Sequence, residues 1–299
     1  MICDKSFWIA DTGCPYNLTC DKNVFDLLTE RRYTPNPICN NIGTGISTLR
    51  AWDGKKWKKL IIEDLKMGKT SSNFNIISIY RILKKGWWCV FSDGKLAVMN
   101  SKNNTKLLGA IFNGVYVFRF YKDGIPKGLD LLQEPVLKPF PNIDTQLLIV
   151  NYYMIRNYDK IILDSGASFH SIDNRDYFID YQTLKKPEGV SLINGKGEII
   201  GIGTVKFLIY NGTKWVIKKL QCNHCKGSEV LSISVLDIFC GYDAYCNSSH
   251  MLLVNRKTNN IGITGLFVES HWILLGIKIP RSMATLTVRQ VKQYLLDIL

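Results

Sequence analysis

The chain has 299 residues, 46% hydrophobic and 11% aromatic, which is enough for two modest domains, each with its own core, and excludes a disordered chain. No apolar run approaches the ~18–20 residues that span a bilayer, and the opening "MICDKSFWIADTG" lacks a signal-peptide core, so the expectation is an intracellular protein with no membrane partner. The formal net charge of +13 is scattered in pairs such as Lys55-Lys56 and Lys218-Lys219, which admits nucleic acid only as a weak candidate partner.

The first notable phrase is "WIADTGCPYN", from Trp8. An apolar strand runs into Asp11-Thr12-Gly13 and delivers a carboxylate to a loop. Glycine lets that backbone turn and be approached closely, and the short Thr hydroxyl can bond nearby backbone. The texture beyond it is β. Asp53-Gly54, Asp93-Gly94 and Asn113-Gly114 are hairpin signals, because type I′ turns need positive φ at both central residues. "VYVFRF" is rich in β-branched and aromatic residues. Four of the nine prolines, Pro126, Pro135, Pro139 and Pro141, then mark an extended linker, with the pattern of a short helical turn at 129–133.

After the linker, "IILDSGASFH" repeats the opening phrase. With a shift of 153, Asp11-Thr12-Gly13 falls on Asp164-Ser165-Gly166, and Phe25 falls on Phe178. "DGKKW" from Asp53 is answered by "NGTKW" from Asn211, and "NIISIYRIL" from Asn75 by "EVLSISVLDI" from Glu229. Such an ordered series predicts a tandem duplication. Asn194-Gly195 and Asn211-Gly212 are further turn signals, the second inside the hairpin "TVKFLIYNGTKWVIKKL". Near the end, Leu286, Val288, Val291, Leu295 and Ile298 fall near helical spacing. The expected fold is all-β: two tandem β-barrel lobes over residues 1–122 and 146–280, a Pro-rich linker over 123–145, and a short C-terminal helix within 281–299.

Two such loops meeting face to face place two carboxylates a few Å apart. They cannot both ionise cheaply, so they share a proton. One then acts as base toward a water, and the other as acid toward a carbonyl or a leaving amine. Other chemistries find less support. Of nine cysteines, Cys222 and Cys225 in "CNHC" have half a zinc spacing, but Cys240 and Cys246 do not complete it, so no metal or cofactor is expected. His170, His224, His250 and His271 are scattered, and His170, six residues after Asp164, either lines a cleft or sits on the surface. No G-x-S-x-G elbow, P-loop or H-E-x-x-H occurs.

"IILDSGASFHSIDNRDYF", "LINGKGEIIGIGTVKF" and "VLSISVLDIFCG" together resemble the protease region of Ty1/copia-type retrotransposon pol polyproteins, a branch of the retropepsin-like aspartic peptidases. The first repeat has the same order in "WIADTGCPYNLT", "NNIGTGISTLRAWDG" and "NIISIYRILKKGWWCVF". The resemblance covers residues 6–120 and 148–275. It implies a retropepsin-like barrel fold in both lobes, with Asp11 and Asp164 as the catalytic dyad. Thr12 and Ser165 would brace the loops, and Gly13 and Gly166 would permit them. Flaps over a polypeptide substrate would include Gly43 and Gly45 in one lobe and Gly195 and Gly197 in the other. Ile77, Ile79, Leu231 and Ile233 would pack behind the aspartates. The chain departs from the family in carrying both halves, so a single-chain pseudo-dimer is expected over a homodimer. It also has Cys14 where Ala167 stands in the second repeat, and shows no other polyprotein segment. The competing reading is an inactive, domesticated β-barrel module that binds protein or nucleic acid.

Overall fold

The computed structural model describes residues 5–35, 40–69, 74–100, 102, 104–125, 138–192 and 195–298. The first half runs β1 (Phe7–Asp11), β2 (Leu18–Thr19), β3 (Leu27–Pro35), β4 (Asn40–Trp52), β5 (Trp57–Lys69), β6 (Asn75–Ser78) and α1 (Ile79–Leu83). It continues with β7 (Trp88–Ser92), β8 (Lys95–Met99), β9 (Thr105–Phe112) and β10 (Val115–Tyr121). After α2 (Thr145–Ile155) the order returns as β11 (Ile162–Asp164), β12 (Ser171–Ile172), β13 (Gln182–Leu192), β14 (Gly195–Tyr210), β15 (Trp215–Cys225), β16 (Val230–Ser232) and α3 (Ile233–Ile238). Then come β17 (Tyr242–Cys246), β18 (His250–Asn255), β19 (Ile261–Val268), β20 (His271–Leu274), β21 (Gly276–Ile279) and the closing helix α4 (Val288–Ile298). The protein is all-β with a short C-terminal helix.

The strands that carry the aspartates are central. β1 lies between parallel β6 and antiparallel β10, with Ile9 opposite Ile76 and Val117. β11 lies likewise between β16 and β20, with Ile162 opposite Val230 and Ile273. Central strands read as unbroken apolar runs, and "FWIAD" is buried at all five positions. Ile77, Ile79, Leu231 and Ile233 are buried with Trp8, Ala10 and Leu163 in one continuous core. Antiparallel pairing of β7 with β17 joins the halves, with Val90 opposite Tyr245 and Cys89 opposite Cys246.

Local details differ from the sequence reading. Asp93-Gly94 and Asn113-Gly114 have positive φ at both residues, as type I′ turns require. At Asp53-Gly54 and Asn211-Gly212 only the glycine does. There the side chains of Asp53 and Asn211 accept N–H groups two and three residues ahead (Lys55 and Lys56; Thr213 and Lys214), which makes a wider Asx-type loop. The helical turn expected at 129–133 and the Asn194 turn residue lie outside the described residues.

Helix α2 stands where linker and strand were expected to meet. Asp144 caps it by accepting the Gln146 N–H at 2.9 Å, and Leu148 and Ile155 bury against Leu208, Ile277 and α4's Val291. Short helices α1 and α3 occupy the matched segments "NIISIYRIL" and "EVLSISVLDI", where no helix was expected. Ser78 and Ser232 start them by accepting the N–H groups of Arg81 and Val235 at 3.4 and 3.2 Å. Among the described residues, no helix is long and apolar enough to cross a membrane.

Candidate active site

β1 and β11 end at Asp11 and Asp164, and the two loops that follow meet. Thr12 Oγ1 donates to the Leu163 carbonyl at 2.9 Å and accepts the Ser165 N–H at 2.8 Å. Reciprocally, Ser165 Oγ donates to the Ala10 carbonyl at 2.6 Å and accepts the Thr12 N–H at 3.1 Å. All four bonds are buried, so each hydroxyl satisfies backbone groups of the opposite loop that water cannot reach.

This brace brings the carboxyl groups together. The Asp164 carboxyl lies against Gly13 and the Asp11 carboxyl against Gly166, so the two charges face each other across the loops. Each also accepts the N–H of its own glycine: Gly13 N–H to Asp11 Oδ1 at 2.6 Å, and Gly166 N–H to Asp164 Oδ1 at 2.7 Å. The glycines are needed because the partner carboxyl is so near. A Cβ on Gly13 would lie 3.1 Å from Asp164 Cγ, and one on Gly166 would lie 2.9 Å from Asp11 Cγ.

Burial is the first cause of a raised pKa at both aspartates. Asp11 is pushed up further by the negative charge of Asp164. Asp164 is partly relieved by N–H donors from Gly166 and Gly13, by Asp11, and by His271. Both carboxyls therefore favour the neutral form, and the two titrate as a pair that can share one proton. Such a pair offers a base and an acid side by side.

An open cavity of about 420 Å³ adjoins Asp164 and is walled by Gly13, Cys14, Ile162, Ala167, Val230 and His271, among others. Its second-lobe side carries polar groups from Lys160, Ser228 and Glu229. In the first lobe the position matching Lys160 is Phe7, packed in a small apolar cluster with Ile9 and Val115. The cleft is asymmetric in chemistry.

The glycines expected in the flaps lie in two long hairpins. Gly43 and Gly45 sit inside β4, opposite Glu30 and Leu28 of β3. Gly195 and Gly197 begin β14, opposite Leu192 and Val190. The counterparts of Gly43 and Gly45 by packing are instead Gly201 and Gly203. A Cβ on Gly203 would lie 2.7 Å from the Asp180 carbonyl oxygen and 3.1 Å from the Phe178 ring, and one on Gly45 would overlap the matching Leu27 carbonyl and Phe25 ring. The second-lobe hairpin is five residues longer, and that shift separates the two glycine pairs in the sequence.

His170 neither lines the cavity nor sits on the surface: it is 3% exposed, behind the Asp164 loop. Its Nδ1 accepts the Ser232 N–H at 2.9 Å. In the first lobe Asn17 Oδ1 accepts the equivalent Ser78 N–H at 3.0 Å. Asn17 and His170 are themselves 153 residues apart, so the repeat shift already carried this pairing. Cys222 and Cys225 are buried, and burial pushes the Cys222 thiol up. Among the described residues, no group of three or more His, Cys, Asp or Glu is placed to hold a metal ion.

Comparison with known proteins gives one family match. Residues 161–258 match the family described as Pol polyprotein, beta-barrel domain. That stretch includes Asp164-Ser165-Gly166, His170 and Ser232, and it supports a retroelement Pol-derived origin for this region. No curated protein and no solved structure matches the chain.

Proposed function

We propose that the chain is a retrotransposon-derived aspartic endopeptidase that supplies both catalytic aspartates itself. The observation that carries this reading is the reciprocal Thr12–Ser165 brace, which sets the Asp11 and Asp164 carboxyls against each other's loops. In the proposed reaction a water between the carboxyls gives its proton to Asp164 as it attacks a peptide carbonyl. Asp11, protonated, donates toward the carbonyl oxygen. The proton then passes to the leaving amine. The substrate is an extended polypeptide lying in the cavity beside Asp164.

The recurrence of ten strands and a short helix in one order supports reading the lobes as tandem Ty1/copia-type protease copies over residues 1–122 and 146–280. The brace already lies within one chain, which favours a monomeric pseudo-dimer. The competing reading, a module that binds nucleic acid without catalysis, is favoured by the net charge of +13.

Purified protein incubated with unfolded proteins or a peptide library between pH 4 and 6 tests the proposal. Cleavage that disappears in both Asp11→Asn and Asp164→Asn is the expected result. Cleavage that survives both substitutions, or wild-type protein that cuts nothing yet binds nucleic acid with strong salt dependence, overturns it.

A further inference from the structure

The backbone N–H of Ser232 stands at the junction of β16 and α3, behind the Asp164 loop. Ser232 reaches that loop directly, because its Oγ donates to the Ala167 carbonyl at 2.6 Å. Its N–H needs a buried acceptor, and His170 Nδ1 supplies one at 2.9 Å. His170 is itself anchored, since its carbonyl accepts the Asn223 N–H of β15 at 2.9 Å. Imidazole accepts at Nδ1 only when neutral, with its proton on Nε2, and that nitrogen has no partner among the described residues. The first lobe solves the same problem with Asn17, an amide oxygen that accepts at any pH.

We infer that His170 is a positioning residue for Asp164: as a neutral acceptor it ties β16 and α3 to the loop that carries the aspartate, and it does so only while unprotonated. The inference rests on the aspartic-peptidase reading for its effect on catalysis. Protonation would set an N–H against the Ser232 N–H and release the loop from behind. Burial alone lowers the His170 pKa, to about 4. The ionisable groups on the elements around it are Asp164 on its own loop, Asp173 after β12, Lys218, Lys219, Cys222, His224 and Cys225 on β15, Glu229 before β16, and Asp237 in α3. None of them contributes to that shift. The bond is therefore intact near neutrality and lost toward the acid end of the range in which a shared-proton dyad works. The second lobe carries an acid limit that the first does not.

The test uses the full chain as wild type, His170→Asn, His170→Ala and Asp164→Asn, with two readouts from pH 3 to 7. One is kcat and KM on a peptide the wild type cleaves. The other is hydrogen exchange at the Ser232 amide, followed by NMR. Wild-type kcat is expected to fall on acidification toward about 4 with KM little changed, while Ser232 loses its exchange protection over the same range. His170→Asn, which offers an oxygen as Asn17 does, should keep both to lower pH. His170→Ala should lose roughly tenfold or more in kcat at every pH and expose the Ser232 amide. An unchanged acid limb in His170→Asn, or a protected Ser232 amide in His170→Ala, overturns the inference. Absence of cleavage, or cleavage that survives Asp164→Asn, instead removes the peptidase reading. In that case the exchange data still decide whether His170 holds Ser232.

Discussion

The two aspartate loops stand on the same frame of three strands but are held from behind by different chemistry. In the first lobe the support is uncharged: Asn17 accepts the Ser78 N–H, and Leu83 in α1 is fully buried in the apolar core. In the second, His170 takes the place of Asn17 and Asp237 in α3 takes the place of Leu83. Asp237 is fully buried and reaches across to the first lobe. It accepts the N–H groups of Asp93 and Gly94 at 2.9 and 2.8 Å, the Tyr116 hydroxyl, and the guanidinium of Arg256. Asp243 extends this network by accepting from Ser92 at 2.8 Å and from Arg256 Nε at 2.6 Å. A chain that carries both halves need not keep them alike. One lobe can specialise in apolar packing while the other supplies the charged clamp that joins them, which two identical subunits cannot do.

Asp237→Ala puts that comparison at most risk. It leaves the Asp93 and Gly94 N–H groups and the Tyr116 hydroxyl without their acceptor and takes one of two carboxylates from Arg256, and is expected to cost about 4 kcal/mol in urea unfolding. Leu83→Ala removes only packing, at about 3 kcal/mol. A smaller loss for Asp237→Ala than for Leu83→Ala would show that the clamp adds no stability. The brace should be shared equally, by contrast. Thr12→Val and Ser165→Ala each strand one buried N–H and are expected to cost about 2 kcal/mol apiece. Widely unequal losses would mean that one loop leans on the other.

The hairpin glycines sharpen the comparison further. Gly45→Ala and Gly203→Ala should each cost about 1–2 kcal/mol, since both force a methyl against a backbone carbonyl. Gly195→Ala and Gly197→Ala should cost less, and thermal unfolding of the four variants ranks them. The smallest effect has the opposite sign. Burial raises the folded-state pKa of Asp11, so its contribution to stability is full below the unfolded value of 3.8 and is lost as pH rises through the folded value. Asp11→Asn removes that loss. Its Tm should exceed the wild-type Tm near neutrality, and the gain should vanish in acid. A gain that is independent of pH would place the carboxylate outside the buried pair.

Much of this molecule is written locally. The all-β class follows from short β-branched and aromatic runs between glycine turns, and the C-terminal helix from the spacing of Val288, Val291, Leu295 and Ile298, although Leu286, expected in it, precedes its first turn. The two Asp-hydroxyl-Gly phrases are contiguous, so their register could be read without a structure. Misreadings arose where a local signal admitted two outcomes. Asp-Gly and Asn-Gly made type I′ turns at residues 93 and 113, but Asx loops at 53 and 211, because the side chain competes for the same N–H groups. "GKG" from Gly195 and "GIG" from Gly201 both lie in the segment that resembles a flap, and the sequence does not say which pairs with Gly43 and Gly45. Only the approach of the Asp180 carbonyl distinguishes Gly203.

By itself, then, the sequence determined the strand texture, the paired aspartate loops and the residues able to brace them, because each depends on neighbours within a few positions along the chain. Tertiary structure alone decided that His170 turns inward to Ser232, that Asp237 binds the other lobe, and that burial raises the pKa of both aspartates. Those outcomes depend on burial and on partners up to 153 residues away, and neither is encoded in any short stretch.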